Sequence, residues 1–316
     1  MRPVLACLAA LVVGLLLDAP PAGATLFREV AASPEPDGAP SFSPDGQRVA
    51  FSSPLSGDWE IYTVGAWGGP LTNFTDSPGV DIYANWSHAG PWIVFTSRRD
   101  NGQGNEDMDL WLKSTEDETE INLTTWPGYD NFGALDPAGE RVAFSSDRGG
   151  ATEIWVLTVA DPSQATRLCT GPIECFHACW SPDGQWVAFD AQAPGDPGRT
   201  RLYRVPAAGG QAEEIPIGML VGGDPGWSPD GRYLAYAGGD DPIDWDLWVW
   251  DFQAGAPIQL TDTRFPEQSP AWNAAGTEIV YAAFPQGNKD IWVAYQLPFT
   301  TGVARQSVSG LKSLFR

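Results

Sequence analysis

Cys179-Trp180-Ser181-Pro182-Asp183-Gly184-Gln185-Trp186-Val187-Ala188-Phe189 reads as the end of one strand, a tight turn and a second strand. Proline presets φ for the turn, aspartate caps it, and glycine supplies the positive φ that closes it. The aromatic and β-branched residues after the turn favour a half-buried pleated surface. The unit recurs along the chain. Equivalent turns are Ser43-Pro44-Asp45-Gly46, Ser87-His88-Ala89-Gly90, Asp136-Pro137-Ala138-Gly139, Ser228-Pro229-Asp230-Gly231 and Asn273-Ala274-Ala275-Gly276. Successive turn glycines lie 44, 49, 45, 47 and 45 residues apart. A period near 45 in an all-β pattern marks radially arranged blades. The sequence therefore predicts an all-β, six-bladed β-propeller of four-stranded antiparallel blades.

Each unit divides into four strands. The innermost (a) ends at the turn, and the second (b) follows it, as in Arg48 to Phe51 or Trp186 to Phe189. The third (c) carries an Ile/Leu-aromatic pair: Ile61-Tyr62, Leu110-Trp111, Ile154-Trp155, Leu202-Tyr203, Leu247-Trp248 and Ile291-Trp292. The fourth (d) ends near Leu71-Thr72, Leu123-Thr124, Leu168, Ile215 and Leu260-Thr261. The sixth unit has no fourth strand of its own. Thr25-Leu26-Phe27-Arg28-Glu29-Val30 is expected to complete it, closing the ring and removing its free edges.

These units resemble the WD-like repeats of the TolB-type propeller family over roughly residues 25–297. Three of the six turns depart from Ser-Pro-Asp-Gly, namely those at 87–90, 136–139 and 273–276. The resemblance implies the propeller fold. TolB itself carries an additional N-terminal α/β domain, for which this sequence has no room, so it implies the TolB transport role only weakly.

Residues 1–24 form a different object. Arg2 precedes an apolar run from Val4 to Leu17, and Ala22-Gly23-Ala24 is a small-residue cleavage pattern. This is a secretory signal peptide, and the expected location is periplasmic or secreted. Residues 25–297 are the propeller and 298–316 a C-terminal tail with Arg305, Lys312 and Arg316 but no acids. The whole chain has 18 basic and 40 acidic residues, net −22. Such a field repels nucleic-acid phosphates and anionic membranes and favours cationic groups.

In a propeller the d–a and b–c connections share one face, here called upper. Asp37, Asp81, Asp130 and Glu267 stand at one repeated position of strand a and are expected around the channel mouth. Tyr83, Trp126, Tyr129 and Phe265 lie near them in sequence and offer flat apolar contact. A packing role for the acids, bonding loops within each blade, is the competing reading. No cofactor is expected; convergent oxygens holding Ca²⁺ or Mg²⁺ are the further alternative, although no loop has an EF-hand pattern.

Outside the signal peptide, Cys169, Cys175 and Cys179 fall in one stretch with His177 between the last two. In an oxidising compartment a disulfide from Cys169 to Cys175 or to Cys179 is expected, and spacing does not choose between them. A zinc set of three thiolates and the imidazole is the less favoured reading. The sequence holds two histidines, His88 and His177, and no Gly-x-Ser-x-Gly elbow, which argues against a Ser-His-Asp hydrolase. The expectation is a monomeric, non-catalytic binding propeller engaging a protein, peptide or envelope polymer through its acidic, aromatic-bearing upper face. The alternative is an extracytoplasmic hydrolase or lyase acting on carbohydrate or peptide through channel-mouth carboxylates.

Overall fold

The turn glycines adopt the backbone their position demands, with φ of 67°, 78°, 73°, 67°, 73° and 64° at Gly46, Gly90, Gly139, Gly184, Gly231 and Gly276. A side chain at these φ values would meet its own carbonyl, which is why the repeat keeps glycine while its other turn residues vary. A computed structural model describes residues 25–99, 107–170, 174–193, 195–241, 244–285 and 287–299. Residues 1–24, where the signal peptide is expected, and residues 300–316 of the tail lie outside the described residues.

Among the described residues there are six four-stranded sheets and one small parallel pair. The innermost strands are Gly38–Phe42, Asp81–Trp86, Asp130–Leu135, Cys175–Trp180, Val221–Trp227 and Glu267–Trp272. Each pairs with strand b and, in the first five blades, so on outward in sequence order, all antiparallel, as in Asp130–Leu135, Arg141–Ser146, Glu153–Thr158 and Asp161–Arg167. The extra pair joins Cys169–Thr170 to Gly210–Gln211. Strands b and c of blades four and five run on as longer ribbons, Trp186–Ala193 with Asp196–Pro206 and Tyr233–Asp241 with Asp244–Asp251.

The ring closes as the sequence predicts. Leu26–Ala31 lies on Asp290–Tyr295 in the order N-terminal strand, c, b, a, with Leu26 opposite Tyr295 and Arg28 opposite Val293. Arg28 locks the seam by pairing with Glu278 at 2.9 Å and stacking on Trp67 at 3.9 Å. Phe299, at the start of the tail, packs on Tyr233 with ring centroids 4.6 Å apart.

The apolar core lies between blades. Strand b supplies one large ring per blade, and Phe51, Phe95, Phe144, Phe189 and Tyr236 are wholly buried. Burial of such a side chain is worth about 1.5–3 kcal/mol. Val94, Leu110 and Leu112 of blade two meet Leu135, Val142 and Phe144 of blade three in one cluster. Indoles stitch neighbours together: Trp180 Nε1 donates to Ala134 O at 3.0 Å and Trp272 Nε1 to Gly226 O at 3.1 Å. Among the described residues no helix is long and apolar enough to cross a membrane.

Candidate functional site

One residue of every innermost strand adopts a left-handed backbone: Ala39, Tyr83, Phe132, His177, Asp224 and Ser269, with φ between 49° and 59°. Each stands seven residues ahead of its turn glycine, from Ala39 and Gly46 to Ser269 and Gly276. Each also falls where the pairing of strands a and b slips, between Gly38 and Ser41, Ile82 and Asn85, Asn131 and Ala134, Phe176 and Cys179, Gly223 and Gly226, and Gln268 and Ala271. A bulge places two residues opposite one and re-aims a side chain. Repeated in every blade, it turns six residues toward the axis.

This ring divides the channel into two chambers. The lower, about 190 Å³, is walled by the ring and by residues nearer the a–b turns, including Trp86, Trp180, Trp227 and Trp272. The upper, about 390 Å³, opens toward the d–a and b–c connections and includes Ser52, Trp59, Thr200, Trp245, Gln268 and Lys289. Five ring residues border both chambers: Ala39, Tyr83, His177, Asp224 and Ser269. The ring is uneven. Tyr83, Phe132 and His177 form an aromatic arc with centroids 4.3 and 4.1 Å apart, whereas Asp224, Ser269 and Ala39 make a small polar half.

The charged groups concentrate at His177. Its Nδ1 lies 2.8 Å from Asp190 Oδ1 and 3.2 Å from Asp224 Oδ1. Burial opposes charge on the ring, but Asp190 and Asp224 outweigh it and push the pKa up to about 9. Ser269 fixes Asp224 by donating from its N–H at 2.8 Å and its hydroxyl at 3.1 Å to Oδ2. The Asp224 N–H in turn donates to Asp190 Oδ1 at 3.2 Å. Lys289 borders the same chamber, its Nζ 3.3 Å from Gln268 Oε1; burial lowers its pKa, while Asp224 and Asp37 pull it back up. Thr200 Oγ1 and Trp245 Nε1, on lining residues of this chamber, are buried and meet no hydrogen-bond partner among the described residues.

The four repeated acids stand two residues before a ring residue, Asp37 just ahead of its strand and the others at the first strand position, and are buried, off the lining of both chambers. Asp81 Oδ2 takes bonds from Arg99 and, at 2.9 Å, from the Ser77 hydroxyl. Asp130 pairs with Arg148 at 2.7 Å, Asp37 accepts from the Ser33 hydroxyl at 3.0 Å, and Glu267 from the Thr261 hydroxyl. These are contacts with side chains of the acid's own blade or of the d–a connection that leads into it. Of the four aromatics, Tyr83 enters the ring, while Trp126, Tyr129 and Phe265 are exposed.

The cysteine stretch folds as strand Cys175–Trp180, with Cys175 buried. Cys179 carries a free thiol, which burial pushes up in pKa, and it borders the lower chamber. Cys179 thus makes no disulfide among the described residues, and the Cys169 side chain lies outside them. His177 turns to the two aspartates instead of the thiols. His88 is exposed at the lower chamber.

Sequence reading missed the His177–Asp190–Asp224 cluster, although a signal for it exists. After the strand b aromatic, other blades carry Ser52, Thr96, Ser145, Ala237 and Ala282; only the fourth carries an acid, Asp190.

The family model of the TolB beta propeller domain matches residues 24–105 and 103–296. The chain belongs to this family. An uncharacterized protein of Agrobacterium fabrum is 24% identical over 268 residues, covering 82% of this chain and 88% of that one. The Tol-Pal system protein TolB of Francisella tularensis is 28% identical over 202 residues, 64% of this chain but 45% of that protein. Among solved structures, a putative TolB from Agrobacterium tumefaciens superposes with TM-score 0.66 at 18% identity, covering 86% of this chain and 97% of that one. This TolB-type propeller thus shares the fold of that structure; its chamber chemistry is read from its own residues.

Proposed function

We propose that this TolB-type propeller is an exported binding protein of the cell envelope, which takes a peptide or a segment of a protein partner into its upper axial chamber. The observation that carries the reading is the chamber itself: about 390 Å³, with the His177–Asp190–Asp224 cluster and Lys289 both on its lining. Carboxylates answer an amine or guanidinium, and a lysine answers a carboxylate, so the wall suits a chain carrying charges of both signs. Trp126, Tyr129 and Phe265 add exposed rings to the upper face, the kind of side chain that anchors interfaces. Membership of the TolB beta propeller family and the likeness to a Tol-Pal system protein support an envelope partner. Residues 1–24 supply the export signal in this reading.

Peptide selection tests it. A displayed random-peptide library panned on the immobilised protein should enrich sequences that bind with micromolar affinity by calorimetry. Binding should weaken at least about tenfold in Lys289→Met and in Trp126→Ser/Tyr129→Ser, each a loss of roughly 1.4 kcal/mol or more. Failure to enrich any sequence, or equal binding by all variants, would overturn the proposal.

A further inference from the structure

We propose that His177, Asp190 and Asp224 form a binding site for one divalent first-row transition ion such as Zn²⁺ or Co²⁺, on the wall of the upper chamber. The donor set is one imidazole nitrogen and two carboxylates, the mixture that suits these ions rather than Ca²⁺ or Mg²⁺, which prefer oxygen alone. One donor atom from each residue lies within 4.8 Å of the other two. Bonds of about 2.0–2.2 Å place neighbouring ligands roughly 2.9 Å apart at a right angle and about 3.4 Å apart at the tetrahedral angle. The two distances from Nδ1, 2.8 and 3.2 Å, fall at this spacing.

The donors are held in place before any ion arrives. Ser269 occupies Asp224 Oδ2 through its N–H and hydroxyl, leaving Oδ1 turned to the imidazole. Such outer contacts are what orient ligands in metal sites. Asp190 is 4% exposed, and the Phe132 ring lies 4.1 Å from the His177 ring. Two further observations point to a polar occupant. Thr200 Oγ1 and Trp245 Nε1, on lining residues of the same chamber, are buried with no partner among the described residues, and between them can accept from and donate to water there. The chain's net charge of −22 raises the local concentration of cations. Binding exchanges the Nδ1 proton for the ion and releases that proton to water. The site stands on its own geometry, whether or not the chamber takes a peptide.

The test uses the full chain freed of metal by chelation, with Zn²⁺ and Co²⁺ themselves as probes. Calorimetry and the visible spectrum of Co²⁺ should give one ion per chain with micromolar or tighter affinity, unaffected by millimolar Mg²⁺. His177→Gln should weaken binding at least about 100-fold and Asp224→Asn at least about tenfold, whereas His88→Gln should bind as the parent does. Zn²⁺ should raise the melting temperature of the parent and not of His177→Gln. Should these substitutions disturb folding, His88→Gln leaves a single imidazole in the chain, and Zn²⁺ should protect it from acylation by diethyl pyrocarbonate. Undiminished binding by His177→Gln, displacement by Mg²⁺, or no protection of that ring would overturn the site and leave His177 as an imidazolium clamped between two aspartates.

Discussion

Arg148→Met tests the role assigned to the repeated acids. Asp130 is fully buried and Arg148 nearly so, at 0% and 14% side-chain exposure, with 2.7 Å between Oδ2 and the guanidinium. Arg148 also donates from Nε to the Ser146 hydroxyl at 2.8 Å and lies over the rings of Phe144 and Trp155, 5.0 and 5.4 Å from their centroids. Methionine keeps much of that packing but leaves a carboxylate buried without its cation. Stranding one member of such a pair costs about 3–5 kcal/mol. For a domain of this size that is a fall in melting temperature on the order of 10 °C. Burial already pushes the Asp130 carboxyl above its ordinary pKa, and Arg148 pulls it back. Without Arg148 the folded state holds that proton to higher pH than the unfolded chain does. The deficit should therefore be full at pH 8 and shrink as pH falls toward about 4. Asp130→Asn/Arg148→Met should recover most of the loss, because no charge is left stranded. Urea unfolding of the three proteins at pH 8 and pH 5 measures each quantity. A deficit under about 1 kcal/mol at pH 8, or a double variant no better than the single, would refute a buried structural pair.

Three further outcomes follow from the same structure. Removing residues 25–31 exposes the edge of Asp290–Tyr295 and deletes the Arg28–Glu278 pair, so the truncated protein should melt more than about 10 °C lower; parent-like melting would exclude the closure. Burial raises the Glu267 carboxyl to about 7, against the Thr261 hydroxyl bond that lowers it. Parent stability should thus fall, by on the order of 3 kcal/mol, as pH climbs from about 4.5 to 7, and Glu267→Gln should lack that part of the slope in a pH series of urea melts. Ala39 is left-handed at φ 49°, so Ala39→Gly should stabilise by up to about 1 kcal/mol in equilibrium unfolding, contrary to the usual cost of glycine in a strand.

The repeat made the fold legible because each of its signals acts locally. Gly184 is needed by its own turn, Phe189 by the space beside its own blade, and Leu26–Ala31 by the one blade short of a strand. The channel wall is different, since it depends on a backbone irregularity that hydrophobic patterning does not encode. In a regular strand, residues two apart share a face, so Asp37 and Ala39, or Asp81 and Tyr83, would point the same way. The bulge breaks that rule between Gly38 and Ser41 and between Ile82 and Asn85. Alternation then fails at the point where it would have assigned the axis, and the acids stay within the blades while their neighbours two residues on reach the channel. The left-handed position carries Ala, Tyr, Phe, His, Asp and Ser in turn, with no glycine to mark it. A packing constraint would hold six equivalent positions to similar residues; here only the backbone is repeated. The propeller thus supplies six equal mounts around its axis, and what stands on them, an aromatic arc from Tyr83 to His177 and a small polar half from Asp224 to Ala39, is free to vary without cost to the fold.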